Sequence, residues 1–417
     1  MRFSTAKELI TPYYKVQMSG YASRDELYAS IHDDLYVKCV YMENNNTKTM
    51  IIAYDLLQYN YILNEAVFDY IKTNYMIEKE NVIISYSHTH AGPKIASYTE
   101  RHTSSPLYEF YLERTLRCID RAFSTIMDGT LSMGETTGRW NINRRCVTEK
   151  GIALAPNYEG ITDDELSVLV IKDSSSHVKA VLYNYSCHPV TLSGTLHLSG
   201  EFPGRINQLI EANYYGCNCL FLQGAAGNMR PKITAYGDHF NACTFDQVDE
   251  MSKAISDSIF KLISSQKMEN IKPTFRGCSF TVKPAIQPLD RSFFEKRLTE
   301  VSGYLIQTIQ NLLDHFDEQD DFALIHCGFI KLTDQLYIVY MGGEICYEVK
   351  LLIREVFEHK KIIFLGYHEA LTYIPSDKII DEGGYEGIEA PTFSSFRGPF
   401  ALGINETIKN AFKEKLF

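Results

Sequence analysis

Six runs of apolar residues in this chain end in a polar residue or in a glycine-rich loop, and this recurrence is the feature that most constrains the fold. Short apolar runs of this kind are typical of buried β-strands, and segments with helical spacing separate several of them. In open α/β sheets, ligands bind beyond the carboxyl ends of the strands, where loops from several strands meet. We therefore predict an α/β fold with a mixed β-sheet core flanked by helices. The six ends are Asp55, His88 with His90, His188, residues 224–228, Glu344 and residues 366–373.

The whole chain reads as strands and helices of one unit. We predict a single domain over residues 1–417, with residues 266–292, which contain three prolines, as a connecting segment. Residues 1–30 show no regular pattern, residues 43–46 predict a hairpin turn, and the polar run at 140–145 predicts a loop. The predicted strands are 35–42, 49–57, 82–84, 165–171, 178–185, 219–222, 322–332, 336–341 and 362–365, and the predicted helices are 61–74, 106–127, 203–214, 245–263, 293–316 and 347–359, before a closing helix in 383–417.

The segment SYSHTHAGP, residues 85–93, follows the predicted strand 82–84 and ends in Gly92-Pro93. Glycine followed by proline stops a strand and begins a loop. On an extended backbone, residues two apart project to the same face, so His88 and His90 would point into one pocket.

Histidines and a glutamate at one rim are the ligand types that zinc accepts, and a catalytic zinc site leaves one position open for water. We therefore predict a metal site at the C-terminal rim of the strands. Each residue also has an ordinary interpretation, because a histidine at a strand end is usually a satisfied polar residue. Glu344 after Gly342-Gly343 could equally be a turn residue or a helix cap. The residues lie too far apart in the sequence to form a short-range metal motif.

Composition excludes several classes of partner. The net charge of −11 and the absence of any basic run argue against a nucleic-acid-binding or anionic-membrane-binding surface. The N-terminus lacks the apolar core of a signal peptide, and no stretch approaches the length of a membrane span. The ten cysteines form no regular framework, which favours reduced thiols. We therefore expect a cytoplasmic protein with a small-molecule substrate, no nucleic-acid partner and no stable membrane insertion; the sequence does not predict an oligomeric state.

Eight segments, in order, resemble the catalytic N-terminal domain of the neutral/alkaline non-lysosomal ceramidase family. Together they span nearly the whole chain, although no single segment is decisive. They are GYASR at 20–24 with IHDDLYVKCV at 31–40, SHTHAGP at 87–93, NINR at 141–144, NYSCHPVTL at 184–192, SGEFPG at 199–204, FLQGAAGN at 221–228, GGE at 342–344 and TYIPS at 372–376.

The resemblance implies a zinc amidohydrolase with one Zn²⁺ per chain. It implies that His88, His188 and Glu344 are zinc ligands. It also implies Tyr373 as the fourth ligand, with Tyr385 in GGYEG as a rival and core packing as the ordinary alternative for both.

Two further residues acquire a catalytic role by resemblance. His90 is similar to the family's second active-site histidine, which assists proton transfer or polarises the carbonyl. Arg144 is similar to the arginine that contacts the substrate carbonyl, although the adjacent Arg145 is an alternative.

The chain departs from the family pattern after the glycine-rich loop. Ceramidases proper continue into Gly-Asp-x-Ser-Pro, whereas this chain reads Gly-Asn-Met-Arg-Pro, with Arg230 in the place of the nucleophilic serine. A guanidinium cannot attack a carbonyl, but its planar fork binds carboxylates and phosphates. We therefore predict that Arg230 and Asn228 bind substrate. The chain length also leads us to expect no additional C-terminal domain.

We predict hydrolysis of an amide, an N-acyl bond on a small polar or anionic molecule rather than ceramide, with water as the nucleophile. One alternative is ester or phosphoester hydrolysis at the same metal, with a second metal held through Asp55. The other is a non-catalytic metal- or ligand-binding homologue, in which the changes at 228 and 230 mark lost catalysis.

Overall fold

The computed structural model describes residues 1–21, 24, 26–58, 61–94, 106–394 and 396–416. Within these ranges the strands are β1 Arg2–Leu9, β2 Ser30–Ile31, β3 Tyr36–Asn44, β4 Thr47–Tyr54, β5 Val82–Tyr86, β6 Met127–Thr137, β7 Asn141–Thr148, β8 Gly151–Asn157, β9 Glu165–Asp173, β10 Val178–Tyr185, β11 His197–Leu198, β12 Asn218–Gln223, β13 Met229–Pro231, β14 Ala235–Tyr236, β15 His239–Phe240, β16 Glu269–Ile271, β17 Arg276–Val282, β18 Ile325–Lys331, β19 Leu336–Met341, β20 Glu344–Ile345, β21 Lys361–Leu365 and β22 Tyr373–Ile374. The helices in the same ranges are α1 Tyr61–Tyr75, α2 Pro106–Phe123, α3 Glu201–Asn213, α4 Phe245–Ile263, α5 Arg291–Leu298, α6 Tyr304–Asp314, α7 Tyr347–Phe357, α8 Asp377–Glu382 and α9 Ile404–Leu416.

The larger sheet has the strand order β12-β10-β9-β6-β1-β3-β4-β5, and β16 pairs with β6. Most neighbours are antiparallel, but β4 and β5 are parallel, as are β10 and β12. The prediction of irregular structure for residues 1–30 was wrong for β1, which pairs with β3 over its whole length. Its buried residues include Phe3 and Ala6 among polar ones, a pattern too mixed to be recognised from the sequence.

The smaller sheet has the order β17-β18-β19-β21, with β19 and β21 parallel. The predicted mixed sheet is therefore confirmed. The predicted connecting segment 266–292 carries two strands, because β16 belongs to the larger sheet and β17 to the smaller one. The segment thus connects the two sheets, while the single-domain assignment stays a prediction.

The two sheets pack face to face, and helices cover their outer faces. In β3, Cys39 and Tyr41 face the helix side, where they contact the core around α1 and α2. Val40 and Met42 face the other way and share a core with Ile338 of the smaller sheet. Helices α3 and α4 cover the far end of the larger sheet, and α7 and α9 cover the smaller one. Both faces of the central strands are buried, which explains their nearly continuous apolar sequences.

The hairpin β3–β4, helix α1 and helix α4 confirm the sequence predictions. The hairpin turn contains Asn45 and Asn46 at positive φ, 48° and 65°, as a two-residue turn between twisted strands requires. The loop predicted at 140–145 was wrong, because Asn141–Thr148 forms β7. The single helix predicted at 293–316 is two helices, α5 and α6, with Gly303 at φ 61° before the second.

The parallel strand pairs bring several carboxyl ends to one rim, as predicted. Backbone hydrogen bonds join the loops that follow these strands. The Gly366 N–H donates to Gln223 O at 3.1 Å, and the Gly227 N–H donates to Ile345 O at 2.8 Å. The loops after β12, β19 and β21 are therefore fixed to one another across the two sheets.

Candidate metal centre

His88 and His90 lie in a tight turn beyond the end of β5. The strand ends at Tyr86, and His88 has a φ of 66°, which is uncommon for a residue with a side chain. The extended-backbone argument for the two histidines was therefore wrong in its geometry. Their rings nevertheless share one pocket, with centroids 5.0 Å apart.

His188 approaches the same point from the end of β10. Its ring centroid lies 4.5 Å from that of His88, and its Nε2 lies 3.1 Å from His90 Nε2. The candidate ligand atoms of these three residues all lie within 4.8 Å of one another. We searched the described residues for clusters of three or more histidine, cysteine, aspartate or glutamate side chains. The cluster whose geometry could hold a metal ion is this group of three histidines.

Backbone carbonyls orient two of the imidazoles. His88 Nδ1 lies 2.9 Å from Leu57 O, and His188 Nδ1 lies 3.1 Å from Ala226 O. A carbonyl oxygen only accepts hydrogen bonds, so each Nδ1 carries the proton and each Nε2 presents a lone pair to the centre. Metal-binding histidines are held in this way in proteins.

Glu344 completes the set of ligand atoms. Its Oε2 lies 3.4 Å from His88 Nε2 and 3.6 Å from His188 Nε2. Within the described residues, His88 Nε2 and Glu344 Oε2 are buried atoms without a hydrogen-bond partner. Buried polar atoms are rarely left unpaired, and two imidazole nitrogens with a carboxylate oxygen are the donors that zinc accepts. These residues therefore fit a transition-metal ion.

Tyr373 lies beside Glu344, because β20 and β22 pair in parallel with these two residues in register. The Tyr373 ring is stacked 6.4 Å from that of His188, and the Arg144 guanidinium lies over it. The Tyr385 ring lies 5.4 Å from Tyr373. Both tyrosines therefore belong to the site, and the choice between them as a ligand stays a prediction.

Burial favours the neutral form of His90 and of His188. It lowers the pKa of His90 and of His188 well below the usual range, and the neighbouring His88 adds to both shifts. A neutral imidazole is the form that binds a metal or accepts a proton.

Arg144 and Arg145 share the carboxylate of Glu386. Arg144 Nε donates to one oxygen at 2.7 Å, and Arg145 Nη1 donates to the other at 2.8 Å. Arg145 also donates to Glu382 and to the Gly383 carbonyl. Arg144 lies with its guanidinium 5.1 Å from the Tyr373 ring centre, and its buried Nη2 has no partner among the described residues. Both arginines are buried, but it is Arg144 that contacts the predicted metal-site tyrosine.

The two predicted substrate contacts differ in their surroundings. Asn228 is fully buried, and both ends of its amide are engaged at the start of α7, with Glu348 at 2.8 Å and the Tyr347 N–H at 2.9 Å. This arrangement orients the glycine-rich loop, and a substrate contact by Asn228 stays a prediction. Arg230 lies on β13, where its Nη2 donates to Ser193 Oγ at 3.2 Å.

Asp55, considered above as a ligand for a second metal, is held elsewhere. It accepts a hydrogen bond from the Tyr36 N–H at 3.0 Å, and burial raises its pKa to about 6 despite the nearby Lys38. The structure does not bring it into the histidine group.

Glu201 is the residue that sequence reasoning missed. Its buried carboxylate accepts the His90 N–H at 3.0 Å, the Thr191 N–H and hydroxyl at 2.6 Å each, and the Leu192 N–H at 3.2 Å. It thus links the turn that carries His90 to the loop that follows His188. Its φ of 49° marks a strained position of the kind found at functional sites. The SGEFPG motif contains it, but an acidic residue at a helix start ordinarily indicates only a cap.

A cleft leads from solvent to this centre. Gly20 lies over His90, and a Cβ at Gly20 would come within 2.5 Å of His90 Nδ1. The close approach and a φ of 97° both require glycine at this position. Residues that line the cleft include Met18, Tyr21, Gln58, Thr372 and Phe393.

Comparison with known proteins places the chain in a family. The family model "Neutral/alkaline non-lysosomal ceramidase, N-terminal" matches residues 5–255. The chain belongs to this family. Curated relatives include the neutral ceramidase of Pseudomonas aeruginosa, 24% identical over 248 residues, and that of Oryza sativa subsp. japonica, 22% identical over 274 residues. These alignments cover 56% and 60% of this chain but 37% and 32% of the two relatives.

Solved structures extend the likeness to nearly the whole chain. The crystal structure of the Pseudomonas aeruginosa neutral ceramidase superposes with a TM-score of 0.75 at 17% identity, covering 99% of this chain and 73% of that one. A ceramidase complexed with C2 gives the same TM-score at 16% identity. At these identities the superposition shows the fold, and the activity of this chain is a separate question.

Proposed function

We propose that this protein is a metal-dependent hydrolase of amide bonds, acting on the N-acyl group of a small polar or anionic molecule. The observation that carries the proposal is the convergence of two imidazoles on one carboxylate oxygen: Glu344 Oε2 lies 3.4 Å from His88 Nε2 and 3.6 Å from His188 Nε2, and the first two of these atoms are buried and have no hydrogen-bond partner among the described residues. Membership of the ceramidase family supports amide hydrolysis as the reaction.

Zinc is the metal that we propose, one ion per chain. His88, His188 and Glu344 would hold it, with Tyr373 or Tyr385 as the fourth candidate. Nitrogen and oxygen donors of this kind suit zinc, and His90 could also contribute its imidazole. When bound, zinc lowers the pKa of water to about 7, which supplies a nucleophile near neutral pH. This makes a serine nucleophile unnecessary, so the arginine at 230 is compatible with catalysis.

The chain's own residues supply charge stabilisation and proton transfer. Arg144 Nη2 is a buried donor without a partner among the described residues, so it is free to donate to an oxygen that becomes negative. One well-placed donor of this kind is typically worth about 3–4 kcal/mol. His90 is held neutral by burial, so it can accept a proton and pass it to the departing amine nitrogen.

The substrate is proposed to differ from ceramide. Arg230 replaces the family's serine and offers a cation to a substrate anion.

Among the described residues, none of the helices is apolar and long enough to cross a bilayer.

The test is activity of the zinc-loaded protein on a panel of N-acetylated amino acids and amino sugars, with free amine as the readout. We expect amine release by the wild type and its loss in His88→Ala, with one zinc per wild-type chain. Binding of zinc without amine release from any member of the panel would overturn the proposal in favour of a non-catalytic homologue. Two ions per chain with turnover of esters or phosphoesters alone would overturn it in favour of the other hydrolase class.

A further inference from the structure

Arg230 is held by one side-chain hydrogen bond to a neutral group, and, like Arg24, it has no carboxylate partner among the described residues. Arg144 and Arg145 are paired with the Glu386 carboxylate, and Arg24 donates to the carbonyls of His90 and Thr195 at 2.6 and 3.0 Å. Arg230 instead donates to a neutral hydroxyl, Ser193 Oγ, and lies over the Phe240 ring at 4.3 Å. In the described ranges no carboxylate lies within ion-pair distance of it, and its buried Nε has no acceptor.

A largely buried guanidinium without a counter-ion is unfavourable in the free protein. Removing a charge from water costs free energy unless a partner compensates for it. Burial lowers the pKa of Arg230, and the positive charge of Arg144 lowers it further. A guanidinium with an unused donor in such surroundings is a position prepared for an anion.

A short series of contacts connects Arg230 to His90. Arg230 Nη2 donates to Ser193 Oγ at 3.2 Å, and the Tyr21 hydroxyl donates to the same oxygen at 2.9 Å. The Tyr21 ring packs edge-on against the His90 ring, with centroids 5.2 Å apart. Arg230 therefore lies on the side of the centre where the proposed proton donor lies.

We infer that Arg230 binds a carboxylate on the amine fragment of the substrate, so that the protein prefers N-acylated amines that carry an acid group on the nitrogen side. This inference rests on the proposed function, because His90 defines that side only if it protonates the leaving amine. The planar fork of one guanidinium matches one carboxylate in geometry and in charge.

The experiment compares three small amides with the zinc-loaded protein. N-acetylglycine carries the carboxylate on the amine fragment, N-acetylglycinamide carries none, and N-methylsuccinamate carries it on the acyl fragment. We expect wild-type kcat/KM to be highest for N-acetylglycine. In Arg230→Gln, kcat/KM for N-acetylglycine should fall by about 10- to 100-fold, the usual loss for a charge-assisted hydrogen bond, mostly through KM.

Two further variants sharpen the test. Arg230→Lys keeps the charge but loses the fork, so its preference for N-acetylglycine should be intermediate. Lys232→Gln removes an exposed cation two residues away and should leave the preference as in the wild type.

The possible failures are distinguishable. If no amide is hydrolysed by the zinc-loaded wild type, the proposed function falls, and the assignment of Arg230 to the leaving fragment falls with it. If N-acetylglycine and its neutral amide are hydrolysed equally well, only the inference about Arg230 is overturned. The inference about Arg230 is also overturned if Arg230→Gln lowers kcat/KM most for N-methylsuccinamate.

Discussion

The two halves of the candidate metal centre come from different sheets and differ in how their side chains are held. His88 and His188 follow strands of the larger sheet, and backbone carbonyls orient their rings. Glu344 and Tyr373 lie in the short strand pair beyond the smaller sheet, and the Glu344 oxygen that faces the histidines has no hydrogen-bond partner among the described residues. The family model matches residues 5–255, so it covers His88 and His188 but not Glu344 or Tyr373.

The difference indicates a division of roles. Backbone carbonyls orient the two imidazoles before any metal binds, whereas the position of the Glu344 carboxylate depends on the packing of the two sheets. The histidine half should therefore determine whether metal binds at all. The other half should set how tightly it binds.

Removal of either oriented imidazole should have the largest effect on zinc affinity. In His88→Ala or His188→Ala, zinc affinity should fall at least about 100-fold, more than the 10- to 100-fold typical of losing a partner behind a ligand. Zinc content after dialysis, with competition by a chelating dye, measures this effect. His197→Ala removes an exposed histidine and should bind zinc as the wild type does. Equal stoichiometric zinc in all four proteins would contradict the histidine assignment.

Substitution of Glu344 tests the second half directly. Glu344→Gln removes the negative charge while keeping the shape, so zinc affinity should fall by about 10- to 100-fold. Tyr373→Phe should cost less, at most about 10-fold, since the phenol is at best a neutral or weak ligand. If Glu344→Gln binds zinc normally while His90→Ala does not, the three histidines alone hold the ion. The proposed division of roles between the histidines and Glu344 would then be wrong.

Glu201 should affect both histidine turns at once. A glutamine there places an amide NH₂ against the His90 or Thr191 N–H, and an unmatched buried donor costs about 1–3 kcal/mol. We expect Glu201→Gln to lower the urea midpoint of unfolding and to weaken zinc binding, while Glu250→Gln, at an exposed site on α4, changes neither. Normal zinc affinity in a destabilised Glu201→Gln protein would limit Glu201 to a purely structural role.

The smallest expected effect is a pH dependence in the smaller sheet. His326 Nδ1 lies 2.8 Å from Glu369, and this hydrogen bond raises the pKa of His326. The pair therefore stabilises the fold fully below about pH 6.5, the unfolded value, and the contribution is lost as pH rises through the higher folded pKa. Because the His326 side chain is about a third exposed, we expect the pair to contribute less than about 1 kcal/mol to the free energy of unfolding.

Urea unfolding between pH 5.5 and pH 8 measures this contribution. The wild type should lose slightly more stability over this range than His326→Gln does. His359→Gln, at an exposed position, is the control and should follow the wild type. A steeper pH dependence in His326→Gln than in the wild type would contradict the sign.

Much of the fold could be predicted from local pattern alone. The hairpin β3–β4 and the helices α1 and α4 have strong periodicity and clear turn or cap residues; Thr244, for example, forms a capping box with Gln247. Strand β7 could not be predicted, because its polar residues are satisfied by partners far along the chain. Arg144 pairs with Glu386, which is 242 residues away.

The candidate site, like the fold, could be predicted from the sequence only in part. The strand ends indicated which residues reach the rim, and the structure brings His88, His188, Glu344 and Tyr373 together there. The positive φ of His88 and the buried position of Glu201 had no sequence signal, because both depend on tertiary contacts that override local preference.

The most direct test of the central claim is anomalous diffraction at the zinc edge from crystals of the zinc-loaded protein. We expect one strong peak per chain within ligating distance, about 2.0–2.2 Å, of His88 Nε2, His188 Nε2 and Glu344 Oε2. A peak elsewhere, or none within reach of both His88 and His188, would contradict it.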